Sequence, residues 1–159
     1  MEDLTPLAED AFAHECRIRD IYAARLVEFR PRERLLKTEN GFAGTRVRAD
    51  MRTVDSRNCL YIWEFKIVAS YDGLGQIQTY VALERQASRF QRSVQGVLAA
   101  FSIQPEIRTA IDVLNLGIEL VELPPKLRLA GGIPVVTTFT PVPNIPVLVG
   151  LVPTQGGSR

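Results

Sequence analysis

Two acidic side chains and a lysine on neighbouring predicted strands form the most reactive combination in this chain of 159 residues. They are Asp50, followed on the next strand by Glu64 and Lys66. Two carboxylates can share a hard divalent cation such as Mg²⁺, which prefers oxygen ligands and retains several waters. A lysine beside them can orient or deprotonate a water and offset negative charge that develops on a phosphate. The combination predicts metal-assisted hydrolysis of a phosphodiester.

Alternation along the second strand puts Glu64 and Lys66 on one face. Residues 59–68 are rich in β-forming side chains and largely apolar on both faces, as expected of a central strand. Two charges on one face of such a strand are costly unless they are paired or functional. A structural ion pair would also satisfy this condition, and Asp50 could be a solvated hairpin residue. We favour catalysis because the three residues converge on one chemistry.

The spacing of apolar residues outlines the elements that must position these side chains. Residues 7–29 carry apolar side chains at helical intervals, which predicts a first helix that ends before Pro31. Residues 45–54 alternate, and the turn-forming segment 55–58 follows them, so a β-hairpin is expected over 45–67. The residues between helix and hairpin indicate a basic connection with a turn.

The second half of the chain predicts a strand–helix–strand unit, which implies a parallel strand pair. The expected fold class is therefore α/β, with a mixed central β-sheet flanked by helices in the order α-β-β-α-β-α-β. Gln76 and Tyr80 lie four residues apart on the predicted helix that precedes this unit, and so share a helix face. The predicted elements are a helix over 74–90, a strand over 94–103, a helix over 105–116 and a strand over 118–123.

Arginine dominates the basic residues of the chain. Eight basic residues stand against four acidic ones between Arg30 and Arg57, although the formal net charge of the whole chain is only +1. Arginine is well suited to bidentate phosphate contacts. A salt-bridged protein surface would have a similar composition, so this pattern alone leaves nucleic-acid binding open.

Several features bound the setting of the protein. Cys16 and Cys59 have no spacing partners, which excludes a four-cysteine metal site and favours a reducing compartment. The first residues are acidic and no apolar run reaches membrane-spanning length, so we expect a cytoplasmic protein without a membrane partner. Residues 127–159 form an apolar, proline-rich arm after a domain over 1–126. Packing on its own domain and exchange in a homo-oligomer, such as a dimer, both remain open.

The order of elements and motifs resembles the PD-(D/E)XK nuclease superfamily, whose fold is restriction-endonuclease-like. Within it, the chain is most similar to the RecB-like nuclease domain of NucS-type endonucleases. The likeness covers roughly residues 10–125. It is carried by the helix segment 15–26, by Trp63-Glu-Phe-Lys66 with Gly75-Gln-Ile-Gln-Thr-Tyr80, and by the segment 94–123. Ala49 stands where the superfamily motif has proline.

The resemblance implies roles for individual residues. Asp50 and Glu64 would hold Mg²⁺ or Mn²⁺, together with the carbonyl of Phe65, and Glu15 matches a helix glutamate close to the metal in related members. Lys66 would position the attacking water. Gln76 and Tyr80 would contact the phosphate backbone or steady the site. The candidate nucleic-acid contacts are Gln76 and Tyr80 with three arginines, Arg46, Arg48 and Arg52.

The resemblance implies a metal-dependent nuclease with nucleic acid, expected to be DNA, as its substrate. The alternatives are a nuclease-fold protein without activity that binds nucleic acid or serves as an assembly subunit, and an oligomeric structural protein built around its C-terminal arm. The arginines near Asp50 could equally pair with acidic side chains, and Glu15 could be a structural acid.

Overall fold

The computed structural model describes residues 5–128, with side chains from residue 11 onward. This part of the chain contains five strands and four helices, with two helices first, three consecutive strands next, and helices and strands in alternation after that. In chain order the elements are α1 (Thr5–Ala24), α2 (Leu26–Phe29), β1 (Glu33–Gly41), β2 (Arg48–Asp55), β3 (Leu60–Ala69), α3 (Tyr71–Ala87), β4 (Val94–Ile103), α4 (Pro105–Val113), β5 (Ile118–Glu122) and a 3₁₀ turn (Pro125–Leu127).

The five strands form one mixed sheet in the order β1-β2-β3-β4-β5. β1, β2 and β3 pair antiparallel, whereas β3, β4 and β5 pair parallel. The predicted α/β class, the β2–β3 hairpin and the parallel strand–helix–strand unit are confirmed. None of the helices within residues 5–128 combines the length and the apolar character needed to cross a lipid bilayer.

Apolar side chains pack on both faces of the sheet, and β3 contributes to both packed layers. Ile62 belongs to the cluster that includes Ile77 of α3 and Ile107 of α4. Trp63 belongs to the opposite cluster, which includes Tyr22 of α1. The period of two predicted for β3 therefore separates its side chains as expected. A strand that is buried on both faces has a nearly fixed position, which is a suitable support for a functional site.

The expected connection between the first helix and the hairpin is wrong for residues 33–41, because they form β1. This edge strand is mostly exposed and lacks the apolar alternation by which strands are recognised. Its backbone pairs with β2, from Glu33 opposite Asp55 to Gly41 opposite Arg48. The first helix also differs from the prediction, since it breaks at Arg25 into α1 and α2.

A polar network fixes β1 and β2 against the core. The indole N–H of Trp63 donates to Thr53 Oγ1 at 2.9 Å, and the Thr53 hydroxyl donates to Glu33. Arg30 donates to Glu33 Oε1 at 2.6 Å and also bonds Glu119 of β5. Its guanidinium lies 5.2 Å from the Trp63 ring centroid. The network joins both edges of the sheet to its centre, and each of these buried polar groups is satisfied.

The predicted C-terminal arm, with its expected role in oligomer contacts, lies outside the described residues from residue 129 onward. Within the described part, Leu127 is buried in the cluster on the α1 face.

Candidate active site

The pairing of β2 with β3 extends from Val54 back to Met51 and does not include Asp50. Their register runs from Val54 opposite Leu60 to Met51 opposite Trp63. Beyond this point the Phe65 N–H donates to Asp50 Oδ2 at 2.8 Å, so a side chain takes the place of the next backbone acceptor. The Asp50 carboxylate is thereby fixed against β3.

The side chains of β2 do not alternate regularly between the two faces of the sheet at Asp50. Ala49 packs in the cluster on the α3 face, whereas Met51 packs in the cluster on the α1 face. The two residues were expected to share a face. The separation of β2 from β3 beside Asp50 accounts for the difference, since strict alternation requires a regular ladder.

Glu64 and Lys66 project from β3 to the same side, as predicted, and form a close ion pair. Lys66 Nζ lies 2.9 Å from Glu64 Oε1 and 3.5 Å from Glu15 Oε2. Glu64 is only 3% exposed. Within residues 11–128, its second oxygen, Oε2, is buried without a hydrogen-bond partner. A buried carboxylate oxygen without a donor is unusual, and its acceptor capacity is open to a further group.

Helix α1 adds Glu15 to this group from the other side. Its Oε1 accepts a hydrogen bond from the Ile67 N–H at 3.3 Å, while Oε2 faces the Lys66 ammonium. The helix glutamate therefore lies beside the predicted catalytic pair.

The positive charge near Asp50, Glu64 and Glu15 does not compensate for the burial of their carboxyl groups. Burial raises the pKa of Glu64 to about 8, and the charge of Asp50 adds to this effect against the opposing attraction of Lys66. Burial also raises the pKa values of Asp50 and Glu15 above their ordinary range. Burial disfavours the charged form of Lys66, but Glu64, Glu15 and Asp50 outweigh it and raise the pKa of the ammonium.

The pKa of each member of the ion pair is raised, but the two shifts favour different charge states of the pair. The raised pKa of Lys66 fits a charged lysine between carboxylates, whereas the raised pKa of Glu64 fits a carboxyl that keeps its proton. Both follow if one ammonium serves three acids. A further cation at this place would satisfy Glu64 Oε2 and allow all the acids to ionise.

A divalent cation fits this donor set in chemical type, although the side chains are arranged around the ammonium. Among residues 11–128, no group of three or more Asp, Glu, His or Cys side chains is spaced to hold a metal ion. Lys66 instead bridges Glu64 and Glu15. The set predicted from the sequence, which is Asp50, Glu64, Glu15 and the carbonyl of Phe65, stays a prediction.

Helix α3 brings Tyr80 towards the acidic group and leaves Gln76 at the surface. Tyr80 is 6% exposed and its ring stacks on Phe42 with 5.5 Å between centroids. Burial raises the pKa of Tyr80 to about 12, with contributions from the charges of Glu64 and Asp50. The phenol therefore stays protonated at neutral pH and can donate a hydrogen bond. Gln76 is exposed on the preceding turn.

The three candidate arginines occupy two different environments. Arg52 forms an ion pair with Glu84 at 3.3 Å, and its guanidinium lies 4.5 Å from the Phe42 ring centroid. It is therefore engaged within the protein. Arg46 and Arg48 are exposed and remain available to a partner.

Three residues close to the site were not identified from the sequence. Arg19 of α1 is 5% exposed, bonds Glu39 Oε1 at 3.0 Å and partly offsets the charge of Asp50. It lies one helical turn after Glu15, so this spacing could have identified it. Glu39 has a positive φ of 48° in β1, and nothing in the sequence signals it. Gly73 of α3 lies directly against Lys66, where a Cβ would be 3.2 Å from Lys66 Cγ.

Comparison with known proteins gives a consistent fold and no sequence relative. No protein-family model and no curated protein matches the chain. A repair endonuclease from Pyrococcus abyssi superposes with a TM-score of 0.54 at 20% identity, over 67% of this chain and 47% of that one. An EndoMS protein solved in a complex with double-stranded DNA gives a TM-score of 0.51 at 19% identity, over 66% and 45%.

The chain thus spans less than half the length of these two solved proteins. Identities of 20% and 19% establish a shared fold, while activity and substrate require separate arguments. The structural resemblance expected from the motif order is confirmed. The described part of the chain has a mixed five-stranded sheet with flanking helices, an α/β fold that it shares with these two solved proteins.

Proposed function

We propose that this protein is a nuclease that uses a divalent metal ion to hydrolyse phosphodiester bonds of DNA. The observation that carries the proposal is the buried Glu64 carboxylate. One of its oxygens is bonded to Lys66, and the other has no partner within the described residues. Asp50 stands beside it at the point where two strands part. A buried structural ion pair repays its desolvation only when hydrogen bonds also satisfy its remaining acceptors, and Glu64 Oε2 does not meet this condition within the described residues.

In this proposal Asp50 and Glu64 hold the metal, with the carbonyl of Phe65 and the carboxylate of Glu15 as further ligands. When bound, Mg²⁺ or Mn²⁺ supplies the positive charge that stabilises a phosphoryl transition state and activates water. The Phe65 amide orients Asp50 through its hydrogen bond, which leaves the other carboxylate oxygen free to bind. Orientation of ligands by such bonds is typical of metal sites.

Lys66 positions the attacking water. Its ammonium has three donors, and contacts to Glu64 and Glu15 occupy two of them. The third can hold a water or offset charge on a phosphate oxygen. Tyr80 remains protonated and offers its hydroxyl hydrogen to the phosphate backbone. Exposed Arg46 and Arg48, with Gln76, provide contacts along the strand.

The choice of DNA rests on the solved proteins that share the fold, one described as a repair endonuclease and one complexed with double-stranded DNA. The choice among strand forms is made by experiment. Fluorescent single-stranded, double-stranded and branched DNA and an RNA of matched sequence are incubated with Mg²⁺, Mn²⁺ or a chelator.

We expect cleavage that requires metal and falls at least about 100-fold in Lys66→Ala, within the range for loss of acid–base and water-positioning groups. Lys37→Ala is the matched control, since Lys37 is an exposed lysine of β1. Cleavage that persists in Lys66→Ala would contradict the assigned role. If the wild-type protein binds DNA and cuts none of the substrates, the inactive nucleic-acid binder replaces the nuclease.

A further inference from the structure

A polar cavity lies at the end of the sheet opposite the candidate active site. The β2–β3 turn and the α3–β4 loop form its walls, joined by a hydrogen bond from Arg92 to Asn58 Oδ1 at 3.2 Å. The Leu60 N–H also donates to the Ser93 carbonyl at 2.9 Å. The cavity has a volume of about 490 Å³, and its lining residues are Arg57, Asn58, Ser88, Gln91, Arg92 and Ser93.

The lining consists of hydrogen-bond donors suited to an oxyanion. It contains two guanidinium groups, two hydroxyls and two side-chain amides, and none of the described residues that line it is acidic. The Ser88 hydroxyl already donates to the Arg85 carbonyl at 3.1 Å, so the arginines, the amides and Ser93 are the donors that a ligand would use. Charged donors in this combination are typical of phosphate recognition, where arginine binds in a bidentate manner.

Both arginines have donors that the protein does not use fully. The Arg57 side chain is 87% exposed and lies 3.7 Å from Asp55. Asp55 already accepts hydrogen bonds from the backbone N–H groups of Arg57 and Cys59 and from the Tyr61 hydroxyl. In the part of the chain that is described, the buried Nε of Arg92 has no hydrogen-bond partner. Arg92 therefore keeps donor capacity that its bond to Asn58 does not use.

An exposed aromatic ring lies in the same loop. Phe90 is 77% exposed and has a φ of 59°, and Arg89 before it has a φ of 51°. Both residues follow the last turn of α3, where the Phe90 N–H donates to the Arg85 carbonyl at 2.8 Å and so fixes the ring outside the protein. Phe90 stands between Arg89 and Arg92 in sequence, which is the pairing of base-stacking and phosphate-binding groups found in single-strand binding proteins.

We propose that this cavity binds a phosphodiester group of a single-stranded nucleic acid, and that Phe90 stacks on an unpaired base beside it. The identity of the ligand as nucleic acid rests on the proposed function. From Leu60 to Lys66 the strand rises about 20 Å, at about 3.3 Å per residue. That distance corresponds to about six nucleotides at the 3.4 Å spacing of one strand. The cavity is thus a second contact, which holds a strand whose cleaved bond lies at Lys66.

The test measures binding without cleavage. A fluorescent 15-nucleotide thymidine strand, and the same strand with abasic sites, are titrated in chelator and followed by anisotropy at several salt concentrations. The variants are Arg57→Ala and Phe90→Leu, and Arg108→Ala on α4 is the matched arginine control, because its exposed side chain pairs with Glu122. Thermal unfolding checks that each variant is folded.

We expect Phe90→Leu to weaken binding of the thymidine strand on the order of tenfold, as stacking on one base contributes 1–3 kcal/mol. It should leave binding of the abasic strand unchanged. Arg57→Ala should weaken both strands and reduce the salt slope by about 0.7, the value for one phosphate contact on a single strand. Arg108→Ala should match wild type.

Wild-type affinity in both variants, with cleavage intact, would overturn the second contact and leave the nuclease standing. Loss of strand binding in both, in a protein that cuts no substrate, would support the cavity while refuting the nuclease. Equal dependence on Arg57 for a polyglutamate peptide, with no effect of Phe90, would show a general polyanion surface and overturn the assignment to nucleic acid.

Discussion

Gly73, in the first turn of α3, faces the stem of Lys66 and provides a sharp test of the site. A Cβ at this position would lie 3.2 Å from Lys66 Cγ and 3.2 Å from Leu98 Cδ1. These separations are shorter than ordinary contacts, so Gly73→Ala must move one or both neighbours by a few tenths of an ångström. Lys66 is held at its other end by Glu64 and Glu15, and the displacement is transmitted to the ammonium.

Two effects of similar size oppose each other in the stability of Gly73→Ala. Alanine favours the helix over glycine by roughly 0.5–1 kcal/mol. Overpacking costs about 1–3 kcal/mol when the neighbours cannot yield, and the flexible Lys66 stem yields more readily than the core residue Leu98. We expect the free energy of unfolding to fall by about 1 kcal/mol or less. Activity is more sensitive, since a 1 Å misplacement costs about 100-fold. A shift of about 0.3 Å then lowers cleavage roughly fourfold.

Gly75→Ala is the matched control, because it lies in the same helix and nothing lies within 4 Å of its added Cβ. It should gain roughly 0.5–1 kcal/mol from helix propensity and cut DNA at the wild-type rate. Urea unfolding and metal-dependent cleavage are measured for both variants. The reasoning is refuted if Gly73→Ala and Gly75→Ala have the same stability and the same activity, since the contact with Lys66 would then have no consequence.

Two further predictions concern the acid at the centre of the site and the packing beneath it. The Glu64 pKa is raised to about 8 in the folded protein from an ordinary 4.5, so the native state binds the extra proton and metal-free stability falls as pH rises from about 4.5 to about 8. Glu64→Gln should flatten this dependence in denaturant unfolding with chelator, and an unchanged slope would contradict it. Gly96→Ala would bring a Cβ within 2.6 Å of Ile118 Cδ1, and we expect thermal unfolding to show a loss of about 1–3 kcal/mol. A wild-type midpoint would mean that the side chains of Ile118, Val81 and Ile77 move aside without cost.

The sequence was sufficient for the strands whose side chains alternate between two buried layers. Leu60 and Ile62 on one face of β3, with Trp63 and Phe65 on the other, require a period of two, and the structure has it. The same period put Glu64 and Lys66 side by side, and their separation of 2.9 Å agrees. Burial on both faces makes such a pattern readable, because each position has a defined environment.

The edge strand β1 could not be predicted from side-chain alternation. β1 is held by backbone pairing to β2, and its mostly exposed side chains carry no alternation. Glu39 illustrates the limit, since its left-handed backbone and its bond to Arg19 depend on how β1 meets α1. Arg52 was grouped with the nucleic-acid contacts, but it pairs with Glu84 of α3 across a distance that only the fold defines. Contacts between distant segments have no local signal.

The cost of the acidic group is the strongest reason to regard it as functional. A hydrophobic residue at position 64 would suit β3, in which Ile62 and Phe65 are also buried. Replacement of a buried ion pair by apolar side chains is often neutral or stabilising. The protein instead buries Glu64, leaves Oε2 without a donor within the described residues and shares the Lys66 ammonium between Glu64 and Glu15. A cation that binds only the folded protein stabilises it by an amount that grows with the logarithm of its concentration above the dissociation constant. We therefore expect Mg²⁺ or Mn²⁺ to raise the unfolding temperature of the wild-type protein with this dependence on concentration, and to have less effect on Glu64→Gln.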